Sequence, residues 1–290
     1  MDKKLEKIIE QYRDVPIPKE LDFIVKKTIK QRKKGIFKHE WLVGTGAAAI
    51  AFVIGINASP AFAYALSEVP LVGKLVQVLT FREYKIDDGN FTARIEVPAI
   101  KNLENKSLEH SLNQKYLEES KKLYSDFKKE MESVKQSGGG HLGVDSRYVV
   151  KTDNDRILSI GRSYINTVGS SSTTIKYDTV DKKNQVLITL PSLFIDDRYI
   201  KLISDNIKEQ MIKQVKDDPD KFYWVAGVPN TVNSYFENIS KDQNFYINND
   251  GKLVISFDKY EVAPGFMGVV EFIIPTNVLT DVLVSQEYIK

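Results

Sequence analysis

The stretch FTARIEVPAIKNLENKSLEHSLNQKYLEESKKLYSDFKKEMESVK, residues 91–135, holds two hydrophobic periods in succession. Over 91–100 apolar and polar residues alternate, the period-2 signature of a half-buried strand. The spacing then lengthens. Leu108, Leu112, Tyr116 and Leu117, and later Leu123, Phe127 and Met131, recur at helical intervals and predict a helix over 107–135. Downstream the pattern repeats, with strand-like runs RILSIGRSYI (156–165), TTIKYDTV (173–180), QVLITL (185–190), KLVISF (252–257) and VVEFII (269–274). A second helix over 197–216 carries Ile200, Ile203, Ile207 and Met211 on one stripe. Two strand-and-helix blocks in succession predict an α+β fold, divided at the polar turn 181–184 into blocks 84–182 and 183–290.

Upstream the chain changes character. Residues 41–67 are 27 consecutive uncharged positions beginning WLVGTGAAAIAFVIGINASP. A helix rising about 1.5 Å per residue crosses about 30 Å of hydrocarbon in about 20 residues, so the length fits one membrane crossing, assigned to 41–63. Lys26, Lys27, Lys30, Arg32, Lys33, Lys34 and Lys38 precede it with no acid among them, which holds the N-terminus in the cytoplasm and puts the rest outside. Residues 64–83 read as a juxtamembrane linker. Just past the apolar run, Ala61-Phe62-Ala63 after Pro60 has the small-x-small form that signal peptidase cleaves, with the bond between Ala63 and Tyr64. The alternative is an uncleaved anchor in which the triplet is accidental.

The tail, 1–40, has two apolar stripes: Leu5, Ile8, Ile9 and Tyr12, ended by Pro16 and Pro18, then Leu21, Ile24, Val25 and Ile29. Helices this short are marginal alone, so they call for a partner or, alternatively, an anionic membrane surface.

Composition excludes several functions. The 290 residues contain no cysteine, which removes disulfides and thiolate chemistry. His39, His110 and His141 have no spacing that would grip a metal on a helix face. The tail carries 12 Lys/Arg against 7 Asp/Glu and the remainder 29 against 32, a split that suits membrane orientation better than direct contact with nucleic acid. Ser137-Gly138-Gly139-Gly140-His141 lacks the Lys-Ser/Thr of a phosphate cradle and reads as a flexible hairpin tip. Asp217, Asp218 and Asp220 with Pro219 read as a solvated turn. No catalytic residue, cofactor site or metal site is expected, and the chain is not read as an enzyme.

NFYINNDGKLVISFDKYEVAPGFMGVVEFIIP (244–275), YDTVDKKNQVLITLPSLF (177–194), IPKELDFIV (17–25) and NASPAFA (57–63) together resemble the RsiV family of anti-sigma factors, membrane proteins that act as lysozyme receptors. The resemblance implies that the tail sequesters an extracytoplasmic-function sigma factor through Leu5, Ile8, Ile9, Tyr12, Leu21, Ile24 and Val25. It further implies that lysozyme binding outside exposes the signal-peptidase site, after which a site-2 protease completes release. For lysozyme we expect contact through Gly169-Ser170-Ser171-Ser172 and Pro264-Gly265-Phe266, two loops between strand-like runs. Phe266 would be the anchoring aromatic unless it folds back as a satellite core residue. The competing reading is a membrane-anchored cell-wall or protein-binding module with no signalling role.

Overall fold

The computed structural model describes residues 76–228 and 235–290. The tail, the apolar stretch and the small-x-small triplet lie outside the described residues, and with them the expected sigma-factor-binding and cleavage positions. Among the described residues no helix is long and apolar enough to cross a membrane.

The first lobe is a six-stranded sheet in the order β1-β2-β3-β4-β5-β6, comprising β1 (Gln77–Asp88), β2 (Phe91–Lys101), β3 (Leu142–Asp153), β4 (Ile157–Val168), β5 (Ser170–Asp181) and β6 (Val186–Ile188). β6 lies beyond the 181–184 turn yet pairs with β5, so this sheet continues past that turn. The antiparallel hairpin β1–β2 closes at Gly89, whose φ of +61° suits a tight hairpin turn. On β2, Phe91, Ala93, Ile95 and Val97 point into the core while Thr92 and Arg94 point out. The long helix α1 (Lys106–Gln136) lies on the inner face and starts at Asn105, whose side chain accepts a hydrogen bond from the Leu108 amide. Its buried face, Leu112, Tyr116, Ser120 and Phe127, meets Ile95, Val97, Leu158 and Ile160.

The glycine run after α1 is a correction to the expected hairpin tip. It carries the chain from helix to strand, with Gly138 and Gly139 at φ +102° and +92°. The strand it delivers, β3, runs parallel to β2, so α1 is a crossover between two parallel strands, which a tight hairpin cannot connect. Every other pairing in this sheet is antiparallel.

Charged groups are buried between α1 and the sheet. Arg162 of β4, 2% exposed, meets Glu119 of α1 and, at 3.1 Å, Asp178 of β5. Its guanidinium lies 4.4 Å from the centre of the Tyr116 ring, and Lys115 reaches Asp178 at 2.8 Å. Burial alone would raise the Glu119 carboxyl, but Arg162, with help from Lys176 and Lys115, holds it below its ordinary value.

The second lobe packs α2 (Arg198–Asp217) on the three-stranded antiparallel sheet β7 (Phe245–Ile247), β8 (Leu253–Phe257) and β9 (Val270–Ile274), followed by one turn, α3 (Thr276–Leu279). Tyr199, Ile203, Ile207 and Met211 are spaced at four residues and fully covered, against Ile247, Ile255, Phe257 and Phe272. Each such aliphatic side chain contributes roughly 1.5–3 kcal/mol on burial. Polar ties join the lobes in several places. The Thr152 hydroxyl donates to the Ile247 carbonyl at 2.6 Å. Asp181, fully buried, accepts from Arg156 and from the Tyr288 hydroxyl near the C-terminus. Glu271 of β9 takes Lys151 of β3 at 2.7 Å, Tyr177 of β5 at 2.8 Å and Tyr246 of β7 at 2.9 Å.

Candidate protein-binding face

The β4–β5 turn and the β8–β9 connection, which the sequence singles out separately, are held against each other. The turn is a single residue, Gly169, between the paired Val168 and Ser170, and its φ of +73° requires a residue without a Cβ penalty. Beyond it Ser170 and Ser172 are exposed and Ser171 is half-buried.

The β8–β9 connection is built outward from Asp258. Its carboxylate accepts the Ile175 amide of β5 at 2.8 Å, while its own amide donates to Glu261 at 2.7 Å. Burial pushes the Asp258 carboxyl above its usual range, and the nearby Glu261 charge adds to the rise against the lowering effect of the Ile175 amide. Lys259 then extends the β5 contact: its backbone amide donates to the Thr173 carbonyl at 3.0 Å, and its ammonium to the Ser171 carbonyl and hydroxyl at 2.6 and 2.9 Å.

Tyr260 turns the chain with φ +73°, a conformation that costs a non-glycine residue on the order of 1–3 kcal/mol. Its ring lies against Gly265, where an added Cβ would fall 2.2 Å from ring carbons, so only glycine permits this contact. Gly265–Met267 forms a short 3-10 turn, closed by the Met267 amide on the Pro264 carbonyl at 3.0 Å. Phe266 projects from it 73% exposed and is not folded back into the core.

Ser171 and Gly265 are thus linked through Lys259 and Tyr260. Gly169, Ser170 and Ser172 lie at the tip of the same hairpin. With Val168 and Tyr260, 54% and 46% exposed, Phe266 makes three exposed apolar side chains on these two connected loops. Asp258, Lys259 and Tyr260 were not singled out from the sequence. The clue was length: the 258–268 connection far exceeds the two to five residues of a tight hairpin, which marks a loop with structure of its own. Such a face offers exposed aromatics on a prebuilt backbone, as protein-binding hot spots do.

Residues 191–277 match the family model described as a protein of unknown function, DUF3298, which takes in α2, all of the second sheet and Pro264-Gly265-Phe266. The whole chain is 47% identical over 291 residues to the anti-sigma-V factor RsiV of Bacillus subtilis (strain 168), covering all of both proteins. Among solved structures, a DUF3298 member from Bacteroides fragilis superposes with a TM-score of 0.51 at 15% identity, over 73% of this chain and 95% of that one. One from Pseudomonas aeruginosa gives 0.51 at 12%, over 74% and 97%. These two likenesses bear on the fold, an α+β domain of DUF3298 type.

Proposed function

The chain belongs to the family of the anti-sigma-V factor RsiV, and from that premise we propose that it is a single-pass membrane regulator holding an extracytoplasmic-function sigma factor inactive until lysozyme binds outside. The observation that carries this reading is the extent of the likeness. It runs the full length of both proteins and therefore includes the amphipathic tail and the apolar stretch as well as the folded domain. A regulator of this kind works by binding and release and performs no chemistry of its own.

Each step has its residues. Inside, the stripes Leu5, Ile8, Ile9 and Tyr12 and Leu21, Ile24 and Val25 bury against the sigma factor. Outside, lysozyme meets the loops around Gly169–Ser172 and Pro264–Phe266. A net charge of −3 over residues 41–290 gives little steering toward a basic protein, so affinity rests on the aromatic tip and on shape. Signal peptidase then cuts between Ala63 and Tyr64, its two small-residue pockets filled by Ala61 and Ala63, and a site-2 protease frees the tail from the membrane.

Two variants test the scheme. Leu21→Asp with Ile24→Asp places two charges in the seam with the sigma factor and is expected to abolish repression, at several kcal/mol for a fully buried seam. Full repression by that double variant, in a reporter strain, would mean that the sigma factor is not held through these stripes. Ala63→Trp is expected to bind lysozyme and repress normally but never release. Equal shedding, or a shed fragment starting far from Tyr64, removes the proposed bond.

A further inference from the structure

The register of the first sheet aligns one row of side chains across five strands. Asp87 of β1 faces Thr92 of β2, Thr92 faces Gly143 of β3, Gly143 faces Thr167 of β4, and Thr167 faces Ser171 of β5. The row lies on the face turned away from α1, since its β2 member, Thr92, alternates with the inward Phe91 and Ala93. Gly143 contributes no side chain, and the gap forms the floor of a cavity of about 360 Å³ lined by Asp87, Thr92, Thr167, Lys85 and Arg94. A Cβ at Gly143 would stand 3.5 Å from the Thr92 hydroxyl and 3.5 Å from Thr167, so the two threonines flank the floor.

The chemistry of this trough is uneven in an informative way. Its cations are already neutralised: Arg94 donates to Glu83 and Glu96 at 2.8 and 2.9 Å, and Lys85 pairs with Glu83 at 2.9 Å. Asp145 is likewise chelated by Arg147, with two contacts of 2.7 Å. Left without partners among the described residues are the exposed Asp87 carboxylate and the Thr92 and Thr167 hydroxyls. A carboxylate accepts two neighbouring hydroxyls at once, and each threonine hydroxyl offers one donor and two acceptor positions. Ala93, Val144 and Ile86 also line the trough, although they pack with the core cluster beneath the sheet. The other side chains that rim the trough are polar or charged, while carbon makes up most of its exposed surface, a mixture that suits the hydroxyls and C–H faces of a sugar ring. The volume falls at the small end of ligand sites, about 300–1,000 Å³.

We propose that this trough binds a neutral saccharide, its ring over Gly143, with vicinal hydroxyls on Asp87 and on Thr92 and Thr167. A glycan chain lying along the row would end beside Ser171. The inference goes beyond the anti-sigma reading and does not depend on it.

The test uses the full chain in lipid nanodiscs, free of sugar-based detergent, titrated by saturation-transfer NMR. The probes are a tetramer of β-1,4-linked N-acetylglucosamine, cellotetraose and, as a charged comparison, tetragalacturonate. Saturable binding of a neutral tetramer is expected. Gly143→Val, which fills the floor with a residue suited to a strand, should weaken it by at least about tenfold. The exposed substitution Asp87→Asn should weaken it in the same direction should Gly143→Val disturb folding. Phe266→Ala, which bears only on the loops, should leave it unchanged, so failure of the lysozyme reading and failure of this one give different results. No binding of either neutral tetramer, binding of tetragalacturonate alone, or undiminished affinity in a folded Gly143→Val protein would overturn the proposal.

Discussion

Phe266 and Gly265 are neighbours with opposite demands on the molecule. Phe266 is exposed and supports nothing in the core, so Phe266→Ala should leave thermal unfolding unchanged while weakening lysozyme binding by more than about 1 kcal/mol, read by calorimetry. Unchanged affinity would take this loop out of the interface. Gly265 is set by what lies against it: Gly265→Ala brings a methyl to 2.2 Å from the Tyr260 ring, which must swing away. Because Tyr260 is half-exposed, that movement costs the fold little, yet it displaces Phe266 from its presented position. Lysozyme affinity should fall nearly as far as in Phe266→Ala, with a melting temperature within a few degrees of the parent. A Gly265→Ala protein of normal affinity would show that the Tyr260 contact does not position the tip.

At the scale of elements, α1 is fastened to the sheet by charge as well as by apolar contact. Arg162→Ala would leave Glu119 and Asp178 facing a low-dielectric seam without their guanidinium, and a loss of about 3–5 kcal/mol in urea unfolding is expected. An effect under about 1 kcal/mol would mean that water already reaches the seam. This cluster was not legible in the sequence, because Glu119 and Arg162 are 43 residues apart and meet only through the crossover. The helices were legible, since their period is internal: 107–135 against Lys106–Gln136, and 197–216 against Arg198–Asp217. Three strands were not, and one of them, β7, spans only three residues, too short for an alternation to register. β1 and β3 both carry register shifts, at Phe81 and near Lys151, that break the alternation, and both set charges on the open face. The tip loops were marked by Gly, Ser and Pro, whereas Lys259 acquires its role only when its amide reaches Thr173 of β5, a pairing that no local pattern encodes.

Over the whole molecule, the ties between lobes make stability depend on pH. Burial alone would raise the carboxyls of Glu271 and Asp181, yet Lys151 with Tyr177 and Tyr246, and Tyr288 with Arg156 and two backbone amides, hold them below their ordinary values. A carboxylate lowered in the folded state contributes stability that is fully present above its unfolded pKa, about 4, and lost as pH falls through the folded value. Asp258 is shifted the other way, so its protonation on acidification favours the fold and offsets part of that loss. Glu119 is lowered as well, as are the more exposed Glu83, Asp126, Asp196 and Asp205, so the lowered carboxylates outnumber the one that is raised. The melting temperature should therefore decline as pH drops below about 4, and Glu271→Gln should lower the neutral-pH value while flattening the decline. A melting temperature flat down to pH 3 would contradict it.

The sheet order carries a mechanical consequence. β1 is the described strand nearest to Ala63 along the chain, whereas the turn proposed to meet lysozyme joins β4 to β5, four strands across the same sheet. Four strand spacings of about 4.8 Å separate β1 from β5, so in the proposed scheme a signal from the β4–β5 turn would cross roughly 19 Å of hydrogen-bonded ladder. Such ladders are stiff within the plane and soft to twist. On the proposed scheme a docked ligand would therefore act on the chain before β1 as a twist of the sheet, and a single inter-strand disulfide clamping β1 to β2 is expected to block release while leaving lysozyme binding unchanged.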